Sequence, residues 1–291
     1  MGVNSIPYEL PEKIVASPDL TRLLVKAEDV VARLDERART SPLRDGWQAR
    51  LLYTEACACQ LAAGDLVHLE ELVLLDGGAY SGPADMALSA AYGKLSTWRH
   101  ALNGDAAKLL AGPLPGEAAS ERRSPHVDGN GGRGSVPEYF YDPDWNGAER
   151  LKVWRRTMDA ARGAFPPLLA AAVAWDAWLA INPEERGAWR AGLIAALTLK
   201  AMAKTRYVLL PIDVGWRFSK YRRLPGHSMT TRISGFLEWV CIAAERAGKD
   251  LDTLTVAERL LRAKLNGRRK SSRLPGLVDL LLSRPLVSVP M

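Results

Sequence analysis

Cysteine and histidine are scarce in this 291-residue chain, which holds three of the first and four of the second. Cys57 and Cys59 stand two apart on a helical stretch, so their side chains diverge and suit neither a mutual disulfide nor a shared metal. Cys241 lies in an apolar helical run. The three read as buried free thiols in a reducing cytoplasm. His68, His100, His126 and His227 are isolated from one another, so no catalytic dyad is visible. His68 and Glu71 share a helix face, but one imidazole and one carboxylate fall short of the three or four ligands zinc usually takes. A Gly-x-Ser-x-Gly elbow, a Walker-type phosphate loop and a glycine run after a strand are also missing, so no cofactor is expected. The opening MGVNSIPYELPEK lacks the basic-then-apolar order of a signal peptide. No stretch reaches the ~18 uninterrupted apolar residues of a membrane span. The longest, residues 168–181, is broken by Asp176. A cytoplasmic protein without membrane contact is expected.

What is present points to helices. Hydrophobic residues make up 47%, enough for a sizeable core. β-branched alternation is rare throughout. In residues 18–39, Leu20, Leu23, Leu24, Ala27, Val30, Val31 and Leu34 recur at three- and four-residue steps. Further helices are expected over 45–63, 67–75, 83–102, 148–162, 166–181, 184–203, 228–248, 253–266 and 274–283, with a short extended piece at 205–213. Gly, Pro, Ser and Asn crowd the span from Gly112 to Gly147, where periodicity vanishes. The expected class is mainly α, a multi-helix domain with a basic helical tail. The organisation reads as an N-terminal helical region (1–111), a linker or loop (112–147), a helical core (148–252) and the tail (253–291).

The net charge of +6 is concentrated in two places. Lys220, Arg222 and Arg223 lie beside Trp216, Phe218 and Tyr221, and cations interleaved with aromatics suit phosphates and bases. Arg262, Lys264, Arg268, Arg269, Lys270 and Arg273 surround a Gly-Ser hinge that leaves the backbone free to approach phosphate. DNA is the expected partner, through phosphate contacts, which position a protein without specifying sequence. The helical body is expected to form a homodimer or bind a protein partner.

Two resemblances add to this reading. The segments Ser-Pro-Leu-Arg-x-Gly (41–46), Glu-Ala-Cys-Ala (55–58), Gly-Asp-Leu-Val-His-Leu-Glu-Glu-Leu-Val-Leu (64–74), the basic run 264–275 and Ser-Arg-Pro-Leu-Val-Ser (283–288) resemble a family of uncharacterised bacterial proteins, often plasmid-borne, from rhizobial replicons. That resemblance implies a helical domain of unknown function followed by a C-terminal helix-turn-helix. The chain ends at Met291, so the tail is expected to be a connector truncated where the DNA-reading helices would begin, and the protein a non-enzymatic DNA-associated regulator or a remnant of one.

The second resemblance is to Fic-type nucleotidyl transferases. His126 to Arg133, HVDGNGGR, is similar to that family's signature but lacks its Phe and its spacing. The helix–loop–helix around residues 175–203 is similar to the family's core, which implies a degenerate Fic-like fold. Asn182 then stands where the catalytic His would be, and Glu184 replaces the Phe. An amide has no useful titration, so Asn182 is no general base. The resemblance implies a nucleotide-binding or nucleotidyl-transferase relative without its catalytic His, with Glu185, Arg186 and Arg190 beside the phosphates.

Overall fold

The computed structural model describes residue 8 and residues 17–112, 145–265 and 273–287. Among these there are eleven helices and no strand. The helices are α1 (Pro18–Thr40), α2 (Arg44–Ala62), α3 (Leu69–Asp76), α4 (Met86–Asn103), α5 (Ala106–Ala111), α6 (Gly147–Ala164), α7 (Pro167–Ile181), α8 (Arg190–Ala201), α9 (Ile212–Phe218), α10 (Met229–Ala263) and α11 (Leu274–Ser283). The fold is mainly α, as the periodicity predicts. No helix in the described residues is long and apolar enough to cross a membrane.

Side-chain caps from the residue before the helix set five of the eleven starts. The side chains of Ser17, Asp85, Asp105, Asn146 and Ser228 each accept an N–H in the first turn of α1, α4, α5, α6 and α10. α1 buries Leu20, Ala27, Val31, Leu34 and Ala38, a single stripe of the kind its spacing dictates. α7 and α8 are apolar on nearly every side and form the centre. α6 and α10 pack against α7, α5 packs against α8, and α1 lies along α10. α2 joins α4, α9, α10 and α11, so a single apolar cluster runs through helices from both halves of the chain. Tryptophans pin α6 to α7. The rings of Trp154 and Trp178 meet edge to face at 5.0 Å, and their indole N–H groups donate to Ala174 O (3.1 Å) and Gly187 O (2.7 Å).

Four local expectations are revised. Residues 228–248 and 253–266, read as two helices, belong mainly to the single 35-residue α10. Gly248 does not break it. It sits against Arg37 of α1, which also pairs with Asp252 of α10, and the missing side chain leaves room for that approach. The helix expected from 184 starts at Arg190, because residues 184–189 turn under Trp178. Two short helices, α5 and α9, are additional. The extended piece expected at 205–213 forms no strand: residues 206 and 207 bend, α9 begins at Ile212, and side chains bind the backbone of the segment between. Asp35 Oδ1 accepts the N–H groups of Arg206 (2.9 Å), Tyr207 (2.8 Å) and Val208 (3.1 Å), and Gln48 bonds Tyr207 O and Leu209 N.

Candidate functional site, a tryptophan-walled cleft

A cleft of about 1140 Å³ opens between the two halves of the bundle. α2 and α4 supply one wall with Cys59, Gln60 and Lys94, and the turn before α8 adds Arg186 and Trp189. The rest of the lining includes Trp175 of α7, Asp213 and Trp216 of α9, Arg222 and Arg223, and Trp239 of α10. Four indoles and four cations therefore converge from segments up to 145 residues apart in sequence, counting from Lys94 to Trp239.

Each cation is held differently. The Arg222 guanidinium stacks 4.5 Å from the Trp216 ring centroid and donates to the carbonyls of Trp216, Ser219 and Tyr221. Arg223 Nε donates to Asp176 Oδ1 at 2.7 Å, and Arg232 Nε donates to the same oxygen at 2.8 Å. Asp176 is fully buried, and Tyr8 O–H donates to its other oxygen at 3.0 Å. That phenol is raised far above its ordinary range, by burial first and then by the Asp176 charge. Lys94 is buried, donates to Gln60 Oε1 and lies over the Trp189 ring at 5.6 Å. Its burial lowers the pKa of the ammonium.

An acidic group lies at and beneath the cleft wall, with Cys59 and Asp213 lining the cavity and Glu55 behind them. Glu55 of α2 is wholly buried, and its two oxygens accept the N–H groups of Asp213 and Val214 at 2.9 Å each, capping α9 from a neighbouring helix. The Cys59 thiol donates to Asp213 Oδ2 at 3.1 Å. Burial pushes Asp213 up to about 6, against the pull of its hydrogen bonds with Cys59 and Glu55 and of the Lys94 charge. Burial and the Asp213 charge hold Glu55 well above the usual carboxylate range, and burial raises the Cys59 thiol as well.

The residues singled out from sequence divide among several places. Arg186, Arg222 and Arg223 come together in the cleft. Arg190 is buried, pairs with Glu184 at 2.6 Å and stacks on Trp189. Asn182 is the left-handed C-cap of α7 at φ 50°, and Glu185 is exposed. Lys220 is exposed beyond the cleft. At the far end of α10, Arg262 pairs with Glu258 (2.9 Å) and with Asp279 of α11 (3.0 Å). Lys264 and Arg273 are exposed there. Arg268, Arg269, Lys270 and the 126–133 motif lie outside the described residues. Sequence reasoning missed Glu55, Lys94, Asp213 and Trp239. A lone acid inside an apolar run, as in residues 207–214, is the one signal that marks such a position.

Residues 139–266 match a family model described as "Protein of unknown function (DUF1612)". That segment supplies Trp175, Arg186, Asp213, Arg222 and Trp239, while Glu55, Cys59 and Lys94 come from outside it. Over 345 aligned residues, covering 98% of this chain and 90% of the relative, the sequence is 29% identical to "Uncharacterized protein y4cF" of Sinorhizobium fredii (strain NBRC 101917 / NGR234). The resemblance to uncharacterised rhizobial proteins drawn from the short motifs therefore extends along nearly the whole chain, which is similar to one such protein and has a segment that matches that family model.

Proposed function

We propose that the protein is a DNA-associated regulator whose cleft binds a small planar anion of the nucleotide class. The observation that carries the reading is the convergence of Trp175, Trp189, Trp216 and Trp239 with Lys94, Arg186, Arg222 and Arg223 around one cavity. Indole faces stack on a planar ring, and guanidinium groups take its phosphates in forked pairs. Arg222 is already stacked and hydrogen-bonded in place, so little side-chain entropy is lost when an anion arrives. Nucleotidyl transfer of the Fic kind is no part of this proposal, because Asn182 caps a helix and has no titrating group.

Tryptophan fluorescence and calorimetry on the full chain, with ATP, GTP, adenosine and inorganic phosphate as probes, test the cleft. Saturable quenching by the nucleotides is expected. Arg222→Ala is expected to weaken it about tenfold, the equivalent of ~1.4 kcal/mol. Silence with all four probes removes the reading.

The DNA association rests on Lys264 and Arg273, exposed at the junction of α10 and α11, with Arg268, Arg269 and Lys270 between them in sequence. Lys220, Arg222 and Arg223 belong to the cleft side, and Arg262 is already paired with acids. Duplex binding followed across a salt series is expected to weaken steeply. The log–log slope should fall by about 0.9 for each of Lys264 and Arg273 replaced by Ala. A flat salt response, or no binding at low salt, discards the DNA role.

A further inference from the structure

Glu55, Cys59 and Asp213 form a group, two of them lining the cleft, that the binding of an organic anion does not use. Glu55 and Cys59 are four residues apart on α2 and so share a helix face, and Asp213 meets them from the first turn of α9. One ligand atom from each lies within 4.8 Å of those of the other two. Zinc–ligand distances of about 2.0–2.3 Å place tetrahedral neighbours roughly 3.3–3.8 Å apart, so small side-chain movements suffice to close the set.

The one counter-charge named for the set is the Lys94 ammonium, and no ion pair fixes it there. Among the described residues neither carboxyl group forms an ion pair. Lys94 approaches from α4 but donates to Gln60. On the α8 side the Asp213 carboxyl packs directly on Gly192, where a side chain would begin 2.3 Å from Oδ2. Glu55 spends one lone pair on each of two backbone N–H groups, the outer support that ligating carboxylates receive in metal sites. A separate feature of the same cavity also asks for a ligand. Trp239, 4% exposed and on the cleft wall, has an indole N–H with no acceptor among the described residues.

We propose that Glu55, Cys59 and Asp213 bind a divalent transition metal of the zinc class, with the fourth position open to the cleft. One thiolate and two carboxylates favour zinc over calcium or magnesium, which take oxygen alone. Three protein ligands and a free position is the arrangement of a reactive zinc site, whereas a structural one is closed by four.

Cobalt(II) alone is the probe, added to the full chain after chelation. The expected result is one equivalent bound, with a thiolate-to-cobalt charge-transfer band that zinc displaces. Cys59→Ser, with its helical circular dichroism intact, is expected to lose the band. Cys57→Ser, on the same helix but outside the set, should keep it. Asp213→Asn should weaken binding by at least about a hundredfold, more than the loss of an outer partner costs. X-ray absorption on the zinc-loaded wild type should show a single sulfur neighbour, which decides the matter even if Cys59→Ser fails to fold. No band in the wild type, a band that survives in Cys59→Ser or vanishes in Cys57→Ser, or a zinc shell without sulfur overturns the proposal. Nucleotide binding is scored separately, on metal-free protein.

Discussion

Replacing Asp176 by alanine should destabilise the protein by about 3–5 kcal/mol, the usual cost of removing one partner from a buried charge cluster. Asp176 is fully buried in the apolar α7, and its carboxylate is shared by Arg223 and Arg232, whose side chains are each 15% exposed. Tyr8 adds a third donor. Without the carboxylate, two guanidinium groups face each other in a poorly solvated space. Urea unfolding by fluorescence and circular dichroism measures the loss, and salt should change it little, because buried charges are weakly screened. Asp176→Asn keeps one acceptor and should fall between alanine and wild type. Replacing the set together, Asp176→Leu with Arg223→Met and Arg232→Met, should recover much of the stability, since no charge is then left buried alone. If Asp176→Ala unfolds within about 1 kcal/mol of wild type, the cluster does not carry the load assigned to it.

The second large effect is local. Arg50 of α2 grips the end of α11: Nη1 donates to Leu282 O (2.7 Å) and Gly46 O (2.8 Å), and Nη2 to Leu281 O (2.7 Å) and Arg284 O (2.8 Å). Apart from Gly46 O in the first turn of α2, these are carbonyls at the C-terminal end of α11, which a helix leaves without partners, and a cation there also suits the helix dipole. Gly46 makes the approach possible, because a side chain on it would begin 2.1 Å from Leu282 O. α11 has ten residues and buries only Val278 and Leu282, so it has little independent stability. Arg50→Ala should cost about 2–4 kcal/mol of local stability, the worth of two or so charge-assisted bonds discounted for partial exposure. Hydrogen exchange at Leu277–Leu282 should accelerate by roughly one and a half to three orders of magnitude, at about 1.4 kcal/mol per factor of ten, while α7 and α8 stay protected. Arg50→Lys should behave nearly like alanine, because an ammonium lacks the planar fork. Unchanged exchange in α11 would show that its apolar contacts alone hold it.

The helical class was legible because the core writes its period into the chain: Leu20, Ala27, Val31 and Leu34 are spaced as a stripe and are buried as one. α10 was not legible as a single helix, because a glycine at 248 ended the expected helix, while in the fold that glycine lies inside α10 against Arg37 of α1. In the cleft, Arg222 and Trp216 announce themselves as neighbours in sequence. Glu55 and Asp213 do not, since 158 residues separate them and only the packing of α2 on α9 joins them. Asp176 was visible as an interruption in an apolar run, and two arginines at distant positions give it its meaning.

α10 sets the distance between the two proposed sites. Trp239 on the cleft wall and Arg262 at the far end are 23 residues apart on one uninterrupted helix, roughly 35 Å at 1.5 Å per residue. A ligand in the cleft and a phosphate at that end never touch. Any communication between them has to be mechanical, with α10 as the shaft: a tilt of about 10° pivoting near Trp239 sweeps Arg262 through roughly 6 Å, close to the spacing of adjacent phosphates on a DNA strand.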